Sequence, residues 1–347
     1  MTINNTGSTS HSIPLWLDCD PGHDDAMAIY LSLFSPFVNL LGISTVYGNA
    51  PLAKTTANTL SLLTAVGKSK DIKVYPGAYK PLFRPVSHAP TIHGESGLDG
   101  TKLLPIADDL PMPQGTAIQA MANAINQNPN EITVVATGTL TNIASLIAEH
   151  PEVLEKIKYI SIMGGGINEG NWSDYAEFNI WCDPEAAKIV LTNDIIKSKV
   201  VMVPINLTHQ AIATKSILKR VLYGNSSPPE SSNFRLMLHE LLKFFATTYE
   251  EQQGFLDGPP VHDPLAIACL FSLYGLDENV PDHKKINFEF TRYKIDVIQE
   301  GYRIGETVEV KLDEQDGVLV GKKMNIPGFW NVFLDAVEKA DKVSKIN

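Results

Sequence analysis

Four times in its first 166 residues the chain repeats one pattern, a short continuous apolar run that ends in a polar cluster. IPLWL leads to DCDPGHDD, GISTV to YGN, ITVVA to TGTLTN and ISIM to GGG. Such runs have no polar face to turn to water, so each reads as a strand covered on both sides. Helical stretches alternate with them: DDAMAIYLSLF, LAKTTANTLSLLTAVG, TAIQAMANAINQ, TNIASLIAEH and DPEAAKIVLTN. KVVMVPIN is a further strand, and HDPLAIACLFSLYG and a stretch from about 231 to 252 are further helices.

This alternation predicts an α/β chain with a Rossmann-like, mainly parallel central sheet and helices on both faces. The tail adds antiparallel strands over NFEFTRYKIDVI and GETVEVKL and a final helix near 328–343. Residues 79–115, rich in Pro, Gly and His, read as one long loop of the kind that usually serves function. Nothing resembling a linker, a repeat or a charge block divides the chain. Residues 13–347 therefore read as a single domain behind a disordered tail at 1–12.

Length and charge narrow the class. With 347 residues, 44% of them hydrophobic, the chain can bury a large core. A formal net charge of -11 without clustered Lys or Arg speaks against a nucleic-acid partner. No apolar run reaches the length of a membrane span, so no membrane partner is expected. Cys19, Cys182 and Cys269 are far apart and flanked by apolar residues, which suits buried thiols in a cytoplasmic or nuclear setting. The polar start MTINNTGSTSHS has no secretory core.

In open α/β sheets, ligands bind beyond the carboxyl ends of the strands, where all four polar clusters fall. The first cluster is the most unusual: Asp18, Asp20, Asp24 and Asp25 lie within eight positions at the edge of apolar sequence. One of them can cap the following helix. A helix N-terminus favours a nearby anion by only about 0.3–1 kcal/mol, too little to hold four together. Clustered carboxylates either share protons or neutralise a cation. Because the donors are all oxygen, with no Cys or His at metal spacing, the cation would be Ca2+ or Mg2+. Gly22 and His23 stand where an EF-hand needs a ligand and then its glycine, which excludes that loop. Asp18-Cys19-Asp20 also fits the DxD of a haloacid-dehalogenase-like phosphotransferase, although Pro21-Gly22 departs from the turn such enzymes use.

The extended motif DCDPGHDDA resembles the signature of the nucleoside N-ribohydrolases. YGN (47–49), HGESGLDG (93–100), ATGTLTNIA (136–144), MGGG (163–166), AEFNIWCDPEAA (176–187), VPINLTH (203–209) and PPVHDP (259–264) resemble that family's later motifs, in order. Within the family, GISTVYGNAP, APTIHGESGLDGT, KYISIMGGG and GPPVHDP look most like the fungal uridine nucleosidases. The resemblance implies hydrolysis of the N-glycosidic bond of ribonucleosides, with uridine going to uracil and ribose through an oxocarbenium-like transition state, in pyrimidine salvage. It implies one Ca2+ per subunit, held by Asp20, Asp25, the main-chain carbonyl of Thr137 and Asp263. Asp20 would also be the general base on the water that the metal activates.

By the same resemblance, Asp24 and Asn179 would hold the ribose 2′- and 3′-hydroxyls, with Asn49 close to the metal and the 2′ side. Met163, Asn171 and Glu177 would hold the 5′ end, and Asp18 would orient the loop without touching substrate. His93 and His262 would protonate the leaving base, with Tyr249 and Gln253 lining its pocket. His23 takes no assigned role, and His209 and His239 read as structural. Thr139 and Asn206 depart from the residues many relatives carry, Pro and Asp. A nucleoside is the expected partner, in a homodimer or homotetramer. Other readings of the same residues are a purine, broad-specificity or nicotinamide riboside hydrolase, and a Ca2+-dependent nucleoside-binding protein without turnover.

Overall fold

The computed structural model describes residues 12–224 and 229–346. All of the expected disordered tail except Ser12 lies outside these residues. In chain order the elements begin β1 (Ile13–Cys19), α1 (His23–Phe34), β2 (Val38–Thr45), α2 (Leu52–Ala65), β3 (Val74–Pro76), α3 (Pro90–His93), α4 (Ala117–Gln127) and β4 (Thr133–Ala136). They continue with α5 (Thr141–Glu149), β5 (Tyr159–Met163), α6 (Phe178–Cys182), α7 (Pro184–Thr192), β6 (Val200–Val203), α8 (Ile205–Thr208) and α9 (Lys215–Tyr223). The last are α10 (Asn233–Gln253), α11 (Asp263–Leu273), β7 (Glu289–Val297), β8 (Thr307–Leu312), β9 (Val318–Lys323) and α12 (Ile326–Val343).

The strands form one nine-stranded sheet in the order β3-β2-β1-β4-β5-β6-β9-β7-β8. Every pairing from β3 to β9 is parallel. β7 runs antiparallel to both β9 and β8. The fold is thus the single α/β domain expected, with a mainly parallel sheet and an antiparallel edge. β1 shows why its run is apolar throughout. Ile13, Leu15, Leu17 and Cys19 pack into a core built largely from α1, α10, α11 and α12. Trp16 faces the opposite core, built from α4, α5 and α7.

The order of strands fixes the position of the site. From β1 the chain steps outward through β2 and β3, then returns to place β4 on the other side of β1. The loops after β1 and β4 therefore diverge from neighbouring strands and leave a crevice between them. Residues 79–115 are mainly irregular, as expected, apart from the short helix α3 that ends in His93.

Candidate active site

The crevice opens into a cavity of about 200 Å3 lined by Asp24, Asn49, His93, Thr137, Met163, Asn171, Glu177, Asn179, Tyr249, His262 and Asp263. Of the residues expected at the site, Asp20 and Asp25 are absent from this lining and lie fully buried beside it. Carboxylate oxygens of Asp24, Asp25 and Asp263 come within 4.8 Å of one another, all buried.

Asp25 does two jobs. Its Oδ2 accepts the Gly22 amide at 3.0 Å, so it caps α1 from the third helical position. The same carboxylate accepts from Asn49 Nδ2 at 3.1 Å and Thr137 Oγ1 at 2.8 Å, which ties together the loops after β1, β2 and β4. Asp24 links the two helix N-termini at the site, because its Oδ2 accepts the amide of His262, just before α11, at 3.2 Å.

Asp20 is held through one oxygen of its carboxylate. Oδ2 accepts the Asn49 amide at 2.7 Å, while Oδ1 is buried without a partner among the described residues. The loops approach it so closely that a Cβ on Gly48 would stand 2.0 Å from Oδ2, and one on Gly138 2.5 Å from Oδ1. The glycines of YGN and TGT are therefore required by the position of one carboxylate.

Burial, reinforced by mutual repulsion, makes ionisation costly here. It pushes Asp24 up to about 7, and desolvation followed by the charges of Asp25 and Asp24 raises Asp20 well above the usual range. Desolvation and then the charges of Asp24, Asp25 and Asp20 do the same to Asp263. Asp25 is also raised by burial, against hydrogen bonds that lower it. Among the described residues no cationic side chain is bonded to these four buried carboxyl groups, and the three that converge, Asp24, Asp25 and Asp263, beside the unpartnered oxygen of Asp20, match the donor set of a hard divalent cation. Asp18 sits one layer deeper. Its Oδ1 accepts from Asn142 Nδ2 at 2.7 Å and from Ser44, and burial raises it to about 7.

The far wall holds polar groups suited to a sugar. Asn179 Nδ2 donates to the Thr137 carbonyl at 2.9 Å and lies 3.4 Å from the Met163 carbonyl. Glu177 caps α6, accepting the amides of Asn179 at 2.9 Å and Ile180 at 3.2 Å, and it also accepts that of Gly165 at 2.9 Å. Asn171 Oδ1 accepts the Phe178 amide at 2.9 Å, and Gln253 Nε2 donates to the Asn171 carbonyl.

The two candidate histidines differ. His262 has both ring nitrogens engaged, Nδ1 with Thr208 Oγ1 and Nε2 with Tyr249 OH, each at 2.7 Å. Among the described residues His93 makes its ring hydrogen bonds through Nδ1 only, toward His23. Burial pushes both rings well below 6.5, so near pH 7 each offers a single N–H.

The sequence model described as inosine-uridine preferring nucleoside hydrolase matches residues 15–331. The chain belongs to that family. Uridine nucleosidase of Saccharomyces cerevisiae is 43% identical over 97% of this chain and 99% of its own length. A pyrimidine-specific ribonucleoside hydrolase of Klebsiella pneumoniae is 40% identical, covering 75% of this chain and 79% of its own. Among solved structures, a purine-preferring ribonucleoside hydrolase from Gardnerella vaginalis superposes with a TM-score of 0.82 at 25% identity, over 95% of this chain and all of its own.

For a nucleoside hydrolase the remaining departures are local. Thr139 Oγ1 donates to the Tyr47 carbonyl at 3.2 Å, a bond Pro could not make. Asn206 bonds both the amide and the carbonyl of Ile167, and it also reaches Glu169. Sequence reading passed over Thr208, Ser44 and Asn142, which hold His262 and Asp18, and Trp172 and Phe178 in the cavity wall, whose rings pack at 4.9 Å. Thr208 was visible in VPINLTH, but nothing marked its partner.

Proposed function

We propose that this nucleoside hydrolase cleaves uridine to uracil and ribose with one Ca2+ held by Asp20, Asp25, Asp263 and the Thr137 carbonyl. The observation that carries the reading is the Asp20 carboxylate, packed with Oδ2 against Gly48 and Oδ1 against Gly138, its Oδ1 without a partner among the described residues. When bound, the cation supplies the positive charge that lets these carboxylates ionise together and makes a nearby water easier to deprotonate.

The chain's own residues supply the rest. Asp20 accepts the proton of the attacking water through Oδ1, while the Asn49 amide fixes Oδ2. Asp24 and Asn179 receive the 2′- and 3′-hydroxyls, and Glu177, Asn171 and Met163 receive the 5′ end. Breaking the C–N bond places positive charge on the ribose ring, which the surrounding carboxylates stabilise. His93 offers a free Nε2 to the departing base. His262 acts through Tyr249, because both of its own nitrogens are occupied.

Uridine is favoured over other nucleosides by the likeness to a uridine nucleosidase along nearly the whole chain. The unbridged, buried thiols of Cys19, Cys182 and Cys269 support a cytoplasmic setting. Phe83, Ile106 and Leu110, each about four-fifths exposed or more on the 79–115 loop, support assembly into a homodimer or homotetramer. The test is a panel of uridine, cytidine, inosine and nicotinamide riboside with free base and ribose quantified. We expect uridine to give the largest kcat/KM, and a tenfold preference for inosine would reverse the assignment.

A further inference from the structure

One histidine of the first motif has no part in the mechanism above, yet it touches a residue that does. The main-chain N–H of His23 donates to His93 Nδ1 at 3.2 Å, and Nδ1 of the His23 ring stands 3.1 Å from the same atom. A main-chain N–H can only donate. His93 Nδ1 is therefore held as an acceptor, and the hydrogen of the neutral ring is on Nε2. That nitrogen has no protein partner among the described residues, and the His93 ring lines the cavity.

We propose that His23 is a positioning residue for His93, holding it in the Nε2–H tautomer with that N–H presented to the departing base. The proposal rests on the reading of His93 as a leaving-group donor and adds to it the element that prepares the donor.

The surroundings of His23 suit this role. Phe244 and Phe245 lie nearly parallel to its ring, at 5.2 and 5.3 Å between centroids and 8° and 4° between planes. Its Nε2 is 2.9 Å from the main-chain oxygen of Asp99. The Asp99 carboxylate in turn closes its own loop, accepting the amides of Glu95 at 2.9 Å and Ser96 at 3.2 Å. The segment HGESGLDG is thus folded back by Asp99 and pinned to the start of α1 by His23, with His93 in between. His93 Nδ1 and the Asp99 carbonyl are both acceptors, so a His23 ring with one hydrogen serves one of them while the amide keeps its hold on His93. A Cβ at position 22 would lie 2.5 Å from His93 Nδ1, so the glycine of DPGH is what admits the ring.

The test compares H23A, H93A and the double variant, each loaded with Ca2+, on uridine and on a 4-nitrophenyl riboside whose leaving group needs no proton. H93A should lose roughly 100-fold in kcat on uridine, and H23A about tenfold through misplacement of the donor. Both losses should be several-fold smaller on the nitrophenyl substrate. The double variant should be no slower than H93A, since His23 acts through His93. H23N, which keeps a donor near His93, should recover part of the loss.

Nitrogen-15 NMR of the wild-type holoenzyme should show His93 as the Nε2–H tautomer, and an Nδ1–H tautomer would overturn the inference whatever the kinetics. A uridine-selective loss in H93A that H23A does not share, or an H23A loss that persists without His93, would leave His23 as packing alone and overturn it too. If H93A itself shows no selectivity, the donor reading of His93 fails, and the tautomer measurement then separates that failure from this one.

Discussion

Asp20→Asn is expected to lower kcat on uridine by on the order of 10³ while the protein stays folded. The asparagine oxygen can take over the Asn49 amide that Oδ2 now accepts at 2.7 Å. Its NH2 group then falls where Oδ1 had no partner and faces neighbouring carboxylates. One buried negative charge is removed and a donor is placed among acceptors, so the metal-free variant should melt no lower than the wild type. Circular dichroism melting and steady-state kinetics measure the two effects separately. Activity within tenfold of wild type would remove Asp20 from the role of base.

A second large effect is expected when the cation is removed from the wild-type protein. Burial raises Asp18 and Asp24 to about 7, against an ordinary value of 3.8. Between those values the native state retains protons that the unfolded chain has released, so stability falls as pH rises through the window. A displacement of that size costs each ionised group on the order of 4 kcal/mol. Metal-free protein should therefore melt several degrees higher at pH 5.5 than at pH 7.5. Cation binding needs ionised carboxylates and strengthens with pH, so Ca2+ should raise the melting temperature mainly at pH 7.5. Melting curves of chelator-treated, desalted protein at the two pH values, with and without Ca2+, measure both. A metal-free melting temperature that is flat or rises over this range would contradict the account of the acidic cluster.

The parts of the fold that could be read from sequence are those where one short-range cause dominates. β1, β4, β5 and β6 are continuous apolar runs because cores cover both faces, and α1 and α11 each begin at an aspartate-bearing motif. β9 was missed. VLVGKK is short and ends in two lysines, and its place between β6 and β7 is set by partners more than a hundred residues upstream and 25 to 34 residues away. α9 was missed as well, since only Ile217 and Val221 of its nine residues are buried.

Part of the candidate site was legible for a different reason. Asp20, Asn49 and Thr137 closely follow β1, β2 and β4, and Asp24 and Asp25 open α1 just beyond β1, so their positions follow from the sheet order, whereas Asp263, Glu177 and Asn179 sit at the starts of α11 and α6. The contacts of His93 with His23, and of His262 with Thr208 and Tyr249, were not legible. They join segments 70, 54 and 13 residues apart, and no local pattern records which ring nitrogen meets which partner.

The most direct test of the central claim is turnover of uridine by protein stripped with a chelator, desalted, and then titrated with Ca2+. The account predicts that stripped protein releases no measurable uracil and ribose, and that Ca2+ restores both in equal amounts up to one ion per chain. Full release of uracil and ribose by protein shown to hold no metal would contradict it.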